Sequence, residues 1–195
     1  KNAAGFDLPK FFVGSLGRFG LLAEVSFKVF PRPEATRTLR LDAADPIAKR
    51  DILTGAATGR WEFDALDAAV VEPAVFARLA GPAAALDQLA ADVLARWPGT
   101  VLTAGDASFL WQSVAELRWA HSGGTLLKVA LTPSAVPEFI SVVHRQPDAR
   151  GWVSAAGNAG YVSLPAGGPP LAWEWPAMTL RGDGPLWSGP QPRFA

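Results

Sequence analysis

Apolar and polar residues alternate with a period of two over residues 21–30, which predicts a half-buried strand. The segment reads LLAEVSFKVF, and Val25, Phe27 and Val29 alternate with polar side chains. Pro31 ends the strand, because proline has no N–H to donate to a neighbouring strand.

A short helix is expected just before this strand, over about residues 8–13. Asp7 suits the position that caps a helix, because its carboxylate accepts hydrogen bonds from the free amides of the first turn. Pro9 is tolerated in that first turn, and Gly14 suits the left-handed position that follows a helix.

Beyond residue 35 the pattern changes repeatedly between the period of a strand and that of a helix. Strands are predicted over residues 36–41, 66–72, 75–80, 125–131, 152–154 and 161–164. Helices are predicted from Asp45-Pro46 to Gly55, over residues 86–97, and over residues 136–143 with Ser134 or Thr132 as the cap. The last thirty residues are rich in Pro, Gly and Trp, and are expected to form loops and short edge strands.

Strands that alternate with helices and pair antiparallel predict an α+β fold, a sheet with helices on one face. A ferredoxin-like arrangement is the economical choice within that class. No internal sequence repeat is strong enough to assign.

The composition excludes several classes of protein function. Of 195 residues, 49% are hydrophobic and 18% are charged, so the chain has the composition of a globular protein. Lys plus Arg equal Asp plus Glu at 18 each, which removes the basic surface of a general nucleic-acid binder. The chain has no cysteine, which excludes disulfides, thiolate metal sites and cysteine nucleophiles. No apolar run approaches the about 20 residues that span a bilayer.

The histidines and tryptophans give no strong site. His144 is expected to favour the C-terminal end of a helix electrostatically, and His121 to lie in a loop, so no metal site is expected. Trp111 and Trp119 are eight residues apart, which would place them near the same face of a helix. Packing in a core or a domain interface is the favoured role for them.

The most informative spacing is that of three glycines, Gly14, Gly17 and Gly20, between the short helix and the first strand. Their spacing is not that of the GxGxxG dinucleotide motif, which lies between a strand and a helix. Glycines let a backbone approach a ligand closely, but three glycines alone favour a tight structural turn.

The whole first segment is more specific than its glycines. It reads KNAAGFDLPKFFVGSLGRFGLLAEVSFKVFPRP, and it resembles the last part of the FAD-binding domain in vanillyl-alcohol-oxidase-type (PCMH-type) flavoproteins. Within this class the segment is most similar to FAD-linked glycolate oxidase and D-lactate dehydrogenase subunits. Its departures from the family pattern resemble those of the FAD-binding E subunit of glycolate oxidase. The positions that agree with the family pattern are Lys1, Asn2, Gly5, Asp7, Leu8, Lys10, Val13, Gly14, Ser15, Gly17, Gly20, Glu24, Val25, Lys28, Pro31 and Pro33. The departures are Phe6, Leu16, Arg18, Phe19 and Ala23.

The resemblance implies FAD as the cofactor. It implies that the backbone of the turn over residues 17–22 lies against FAD and that residues 2–7 lie near the flavin pocket. The residues expected to bind the cofactor are Asn2, Gly5, Asp7, Gly14, Gly17, Gly20, Leu21 and Leu22. The departures remove hydroxyl and carboxylate groups from this site, while the glycines that allow backbone contacts remain.

The resemblance also implies two domains. Residues 1–35 would be the C-terminal end of the FAD-binding domain, and residues 36–195 a substrate-covering cap domain with a ferredoxin-like fold. The first 40 residues carry seven basic and three acidic side chains, and Pro31 and Pro33 mark a boundary near residues 31–36. The chain begins at Lys1 without Met, so we expect a fragment that lacks the main pyrophosphate-binding loop and is inactive by itself.

The implied activity is oxidation of a 2-hydroxy acid of the glycolate or D-lactate type, with no catalytic base assigned. The alternative is a subunit without catalysis that assembles a glycolate-oxidase-like complex, with the Trp-rich tail as its interface. Either role implies a catalytic flavoprotein and an iron–sulfur subunit as partners. It also implies a cytoplasmic location, or one at the inner membrane through those partners.

Overall fold

The computed structural model describes residues 8–15, 17–29, 31–168 and 174–190. The contacts between Cα atoms divide the chain into two compact units, Lys1–Arg32 and Pro33–Ala195. We describe each unit by itself.

The first unit begins with helix α1, Leu8–Phe12, which agrees with the predicted short helix. The predicted strand over residues 21–30 was wrong, because its described part, residues 21–29, forms no strand. A strand requires a hydrogen-bonding neighbour, and none of the strand pairings found in the described chain involves this segment. Val25, Phe27 and Val29, the apolar residues of the alternating pattern, are exposed.

In the described part of the second unit, the strands form one antiparallel sheet of nine. The strands are β1 Ala35–Asp42, β2 Ala65–Ala69, β3 Ala74–Gly81, β4 Gly99–Val101, β5 Thr125–Ala130, β6 Arg150–Ser154, β7 Ala159–Leu164, β8 Ala177–Arg181 and β9 Trp187–Ser188. The helices are α2 Pro46–Ala57, α3 Ala83–Arg96, α4 Ala104–Ala115 and α5 Val136–His144, with 3₁₀ turns at Pro133–Ala135 and Ala155–Gly157. The predicted α+β class is confirmed.

The sheet is built from two halves with the same strand order. Its full order is β4-β1-β3-β2-β6-β7-β5-β8-β9. In the first half the order is β4-β1-β3-β2, so its first strand, β1, lies between β4 and β3. Read from the other edge, the second half has the order β8-β5-β7-β6, so its first strand, β5, lies between β8 and β7. The halves meet where β2 pairs with β6, through Ala68 with Val153 and Ala69 with Trp152. Helices α2 and α5, which follow the first strand of each half, pack against each other. The structure therefore repeats one strand order, which the sequence did not reveal.

Helices cover both faces of this sheet, which corrects the prediction of helices on one face only. Side chains alternate between faces along a strand: Val75 packs into the large core with α2, α3 and α5, whereas Phe76 belongs to a second cluster. That second cluster includes Trp152 of β6 and Trp111 of α4. We call the face with Phe76 and Trp152 the outer face. Large apolar side chains there require cover, and α4 provides it.

One predicted helix cap is confirmed and one is wrong. Asp45 caps α2 by accepting a hydrogen bond from the amide of Ala48 at 2.8 Å, although the helix continues to Ala57, two residues beyond Gly55. Neither hydroxyl proposed for α5 caps it. The hydroxyls of Thr132 and Ser134 bond to each other at 2.9 Å. A 3₁₀ turn that contains Ser134 precedes the helix, so the residue at the cap position is Ala135.

Candidate functional site

Three glycines of the first unit, Gly14, Gly17 and Gly20, form a pair of tight turns directly after α1. Their φ angles are +77° at Gly14, +77° at Gly17 and +149° at Gly20, in the region that L-side chains disfavour. The amide of Ser15 donates to the carbonyl of Phe12 at 3.1 Å, and the amide of Arg18 donates to the carbonyl of Ser15 at 3.1 Å. We call residues 14–20 the glycine turn, of which residue 16 lies outside the described residues.

Open space lies beside the glycine turn. A Cβ atom added at Gly14 or Gly17 would meet no other atom within 4 Å, and one at Gly20 would meet only the Phe12 ring at 4.0 Å. The side chain of Leu21 is fully exposed and that of Leu22 is exposed by 61%. Within this unit the backbone of the turn is accessible to a ligand.

The structure places five of the eight predicted cofactor residues in this one short segment: Gly14, Gly17, Gly20, Leu21 and Leu22. Asn2, Gly5 and Asp7 lie outside the described residues. Binding of a cofactor by these eight residues stays a prediction.

The second unit contains a cavity of about 530 Å³ that sequence reasoning missed. It lies on the outer face, beside the junction of the two halves of the sheet. Strands β2 and β3, the last turn of α4 and the 3₁₀ turn at Ala155–Gly157 enclose it. Its polar lining includes Asp64, Asp67, Arg78 and Ser154. We call this cavity the outer-face cleft.

The Asp67 carboxyl is the most buried polar group of the outer-face cleft, since this residue is only 5% exposed. It accepts hydrogen bonds from Trp152 Nε1 at 2.8 Å and from Ser154 Oγ at 2.9 Å. Burial raises the pKa of this carboxyl above its usual value, and the bonds from Trp152, Ser154 and the Ala155 backbone, with the charge of Arg78, only partly oppose that rise.

Arg78 of β3 also lines the cleft and is held by two contacts. Its Nε is 2.6 Å from Asp64 Oδ2, and its guanidinium lies 4.7 Å from the centre of the Trp111 ring. Trp111 is itself held by a hydrogen bond of 2.9 Å from its Nε1 to Thr38 Oγ1 on β1. This arrangement balances the charge of Arg78 and fastens α4 to the sheet.

Two alanines in the wall of the cleft have strained backbones. Ala155 and Ala156 have φ angles of +52° and +54°, in the left-handed region that non-glycine residues rarely adopt. Such strain costs free energy and is concentrated at functional sites. One weak sequence signal existed for this cavity, namely an acidic residue, Asp67, within an otherwise apolar strand.

The remaining candidates of the sequence analysis are structural. Trp119 lies beyond the end of α4, yet it packs with Trp111 in the outer cluster, which confirms a packing role. His144 is the last residue of α5, and His121 Nε2 lies 2.7 Å from the backbone oxygen of Asp148. Among the described residues, no three potential metal ligands come together. No helix in this part of the chain is long and apolar enough to cross a membrane.

Comparison with known proteins finds a short segment of this chain that is similar to two glycolate oxidase subunits. Over 40 residues the chain is 55% identical to glycolate oxidase subunit GlcE of Escherichia coli (strain K12), a match that covers 20% of the chain and 11% of that protein. Over 39 residues it is 46% identical to glycolate oxidase subunit GlcD of Bacillus subtilis (strain 168), covering 20% of the chain and 8% of that protein. The matches thus span about a tenth of these curated relatives. No family model matches the chain.

Proposed function

We propose that this chain is part of a subunit of an FAD-dependent oxidoreductase that oxidises a 2-hydroxy acid of the glycolate or D-lactate type. The observation that carries the proposal is the identity of 55% and 46% with two glycolate oxidase subunits over about 40 residues each. By itself the chain would be inactive. In this proposal its first unit ends a PCMH-type FAD-binding domain.

The glycine turn supports FAD as the cofactor. With positive φ angles and open space beside Gly14 and Gly17, its backbone can lie against a ligand without interference from a Cβ atom. Asn2, Gly5, Asp7, Gly20, Leu21 and Leu22 would complete this contact. When bound, FAD supplies the redox chemistry by accepting two electrons from the substrate carbon, and the protein holds it in position.

The second unit would be the cap domain. In its first half the elements follow as β1-α2-β2-β3-α3-β4 with the strand order β4-β1-β3-β2, which supports the ferredoxin-like arrangement. The division of the chain at Arg32 and Pro33 lies close to the boundary that we propose, between residues 35 and 36.

The test is the visible absorption spectrum of the complete protein, purified free of any other flavoprotein subunit. We expect flavin bands in the wild type and a loss of FAD affinity of about tenfold or more in Leu21→Glu, because the change adds a negative charge at the proposed contact with FAD, which is itself an anion. Leu21 is fully exposed, so this change should not disturb folding. Val71→Glu is the matched control, since Val71 is an exposed apolar residue of the second unit.

A colourless preparation, or full FAD content in Leu21→Glu, would contradict cofactor binding by the glycine turn. A colourless preparation would instead favour the alternative, an assembly subunit that binds a catalytic flavoprotein and an iron–sulfur subunit. The exposed side chains of Leu21, Val25, Phe27 and Val29 favour that second role, because large apolar residues exposed together mark interaction surfaces. In both proposals the location is cytoplasmic, or at the inner membrane through the partners.

A further inference from the structure

The outer-face cleft has the features of a binding site, and nothing in the proposed function requires it. It lies where two halves of the sheet meet, and internal interfaces are common places for ligand sites. Its volume of about 530 Å³ is within the range of small-molecule sites, about 300–1,000 Å³. The strained backbones at Ala155 and Ala156 are in its wall.

The charges in this cleft do not balance. Among the described residues that line it, the titratable ones are Asp64, Asp67 and Arg78. Arg78 is paired with Asp64 at 2.6 Å, so its charge is already matched. Asp67 receives its side-chain hydrogen bonds from neutral groups, the Trp152 indole and the Ser154 hydroxyl. When Asp67 is ionised, the cleft therefore carries one unmatched negative charge.

The helix beside Asp67 adds to this negative character. Val114 and Ala115, the last two residues of α4, line the cleft. The C-terminal end of a helix carries a partial negative charge, and it stabilises a nearby cation.

The rest of the wall is apolar and includes Phe63, Leu66, Val114 and Ala156. A carboxylate has about four acceptor positions, and the side chains of Trp152 and Ser154 occupy two of those on Asp67, which leaves acceptor capacity for a ligand. We propose that the outer-face cleft binds a small organic cation, a primary ammonium group carried on an apolar body, with the ammonium donating to Asp67. This site is independent of FAD and of the proposed oxidoreductase activity.

The proposal is tested by calorimetric titration of the complete protein with benzylamine, which is protonated at neutral pH, and with benzyl alcohol as its neutral counterpart. We expect saturable binding of benzylamine and binding of benzyl alcohol at least about tenfold weaker. Asp67→Asn keeps the shape of the side chain but removes the charge, and should weaken benzylamine about tenfold or more. Asp87→Asn, on an exposed carboxylate of α3, is the matched control and should leave binding unchanged.

A second variant keeps the test decisive if Asp67→Asn does not fold. Ala115 is an exposed residue at the rim of the cleft, so Ala115→Trp should fold and should abolish benzylamine binding by filling the space. Equal binding of the amine and the alcohol, unchanged binding in either variant, or no binding to the wild type would each overturn the proposal. Since the readout is heat of binding and not activity, these outcomes are separate from the FAD content of the same preparation.

Discussion

Trp152 and Asp67 are joined by a hydrogen bond across the junction of the two halves of the sheet, with Nε1 2.8 Å from Oδ2. In the described structure the ladder at this junction covers two residue pairs, followed by one further backbone hydrogen bond of 3.1 Å from the Val70 amide to the Gly151 carbonyl. The side-chain bond therefore adds a connection where the ladder is short. Trp152 also stacks on Phe76 of the first half, with ring centres 5.9 Å apart.

Replacement of Trp152 by phenylalanine should separate these two contributions. The variant keeps an aromatic ring beside Phe76 but removes the donor to Asp67, leaving a buried carboxyl oxygen without this partner. We expect the free energy of unfolding to fall by about 1–3 kcal/mol, measured by urea denaturation. Trp187→Phe, at an exposed position of β9, should change it little. Equal effects at the two positions would show that the hydrogen bond contributes nothing.

The buried Asp67 carboxyl should make stability depend on pH in the acidic range. Burial raises its pKa in the folded state, so the folded protein keeps this proton to a higher pH than the unfolded chain does. Between the two pKa values the contribution of Asp67 to the free energy of unfolding should therefore decrease as the pH rises. Subtracting the pH profile of Asp67→Asn from that of the wild type should isolate this slope, whereas Asp87→Asn should retain it. A difference profile of opposite slope would contradict the raised pKa.

The buried Lys49 should make the free energy of unfolding depend on pH in the alkaline range. Its ammonium group is buried and donates to the carbonyl oxygens of Ala69 and Val70 at 2.7 and 3.0 Å. Burial lowers its pKa from 10.5 to about 8, although the charge of Glu72 acts in the opposite direction. Between these values the unfolded chain binds more protons, so the contribution of Lys49 to the free energy of unfolding should rise with pH.

The measurement for Lys49 is denaturant unfolding at pH values from about 8 to about 10. Lys49→Met should remove the rise and also lower stability, because two buried carbonyl groups lose their donor. Lys128→Met removes an exposed lysine and should leave the rise in place. If the rise persisted in Lys49→Met, its source would be another group.

Gly160 allows α5 to pack closely on β7. A Cβ atom at this position would lie 2.7 Å from both Leu131 Cδ1 and Phe139 Cζ, which is closer than carbon atoms can approach. Gly160→Ala should therefore lower the free energy of unfolding by about 1–3 kcal/mol in thermal or urea denaturation. Gly123→Ala is the control, because a Cβ atom there would meet nothing within 4 Å. Similar effects of the two changes would rule out a steric cause.

Local pattern predicted most of the second unit, because its strands alternate or are strongly apolar and its main helices have one apolar face. The strand predicted from the period of two around Phe27 was wrong. Alternation shows which face a strand could bury, but a strand also needs a neighbouring strand to pair with, and alternation gives no information about that neighbour. Helix α4 was missed, since its apolar side chains cover only the small outer cluster and none of its residues is fully buried. Thr103, which caps it by accepting from the Asp106 amide at 3.1 Å, was a signal that could have been used.

Of the two candidate sites, one could be predicted from the sequence and the other could not. The glycine turn was found because its spacing and its neighbours follow a family pattern in one continuous segment. The outer-face cleft brings together Asp67, Arg78, Trp111 and Ser154, which are as many as 87 residues apart along the chain. Such a site depends on strand order, and no single segment of the sequence contains it.

When one chain carries two halves with the same strand order, the two halves can differ in sequence, which two identical subunits cannot. In a symmetric dimer every substitution appears on both sides of the axis, so a helix laid over one copy must be laid over the other. Here the connection between the halves carries α4 over Phe76 and Trp152, and each half has its own sequence. One chain thus permits an unequal surface, in which the outer-face cleft forms beside the junction of the halves, whereas a homodimer would have to form such a cleft on both sides of its axis.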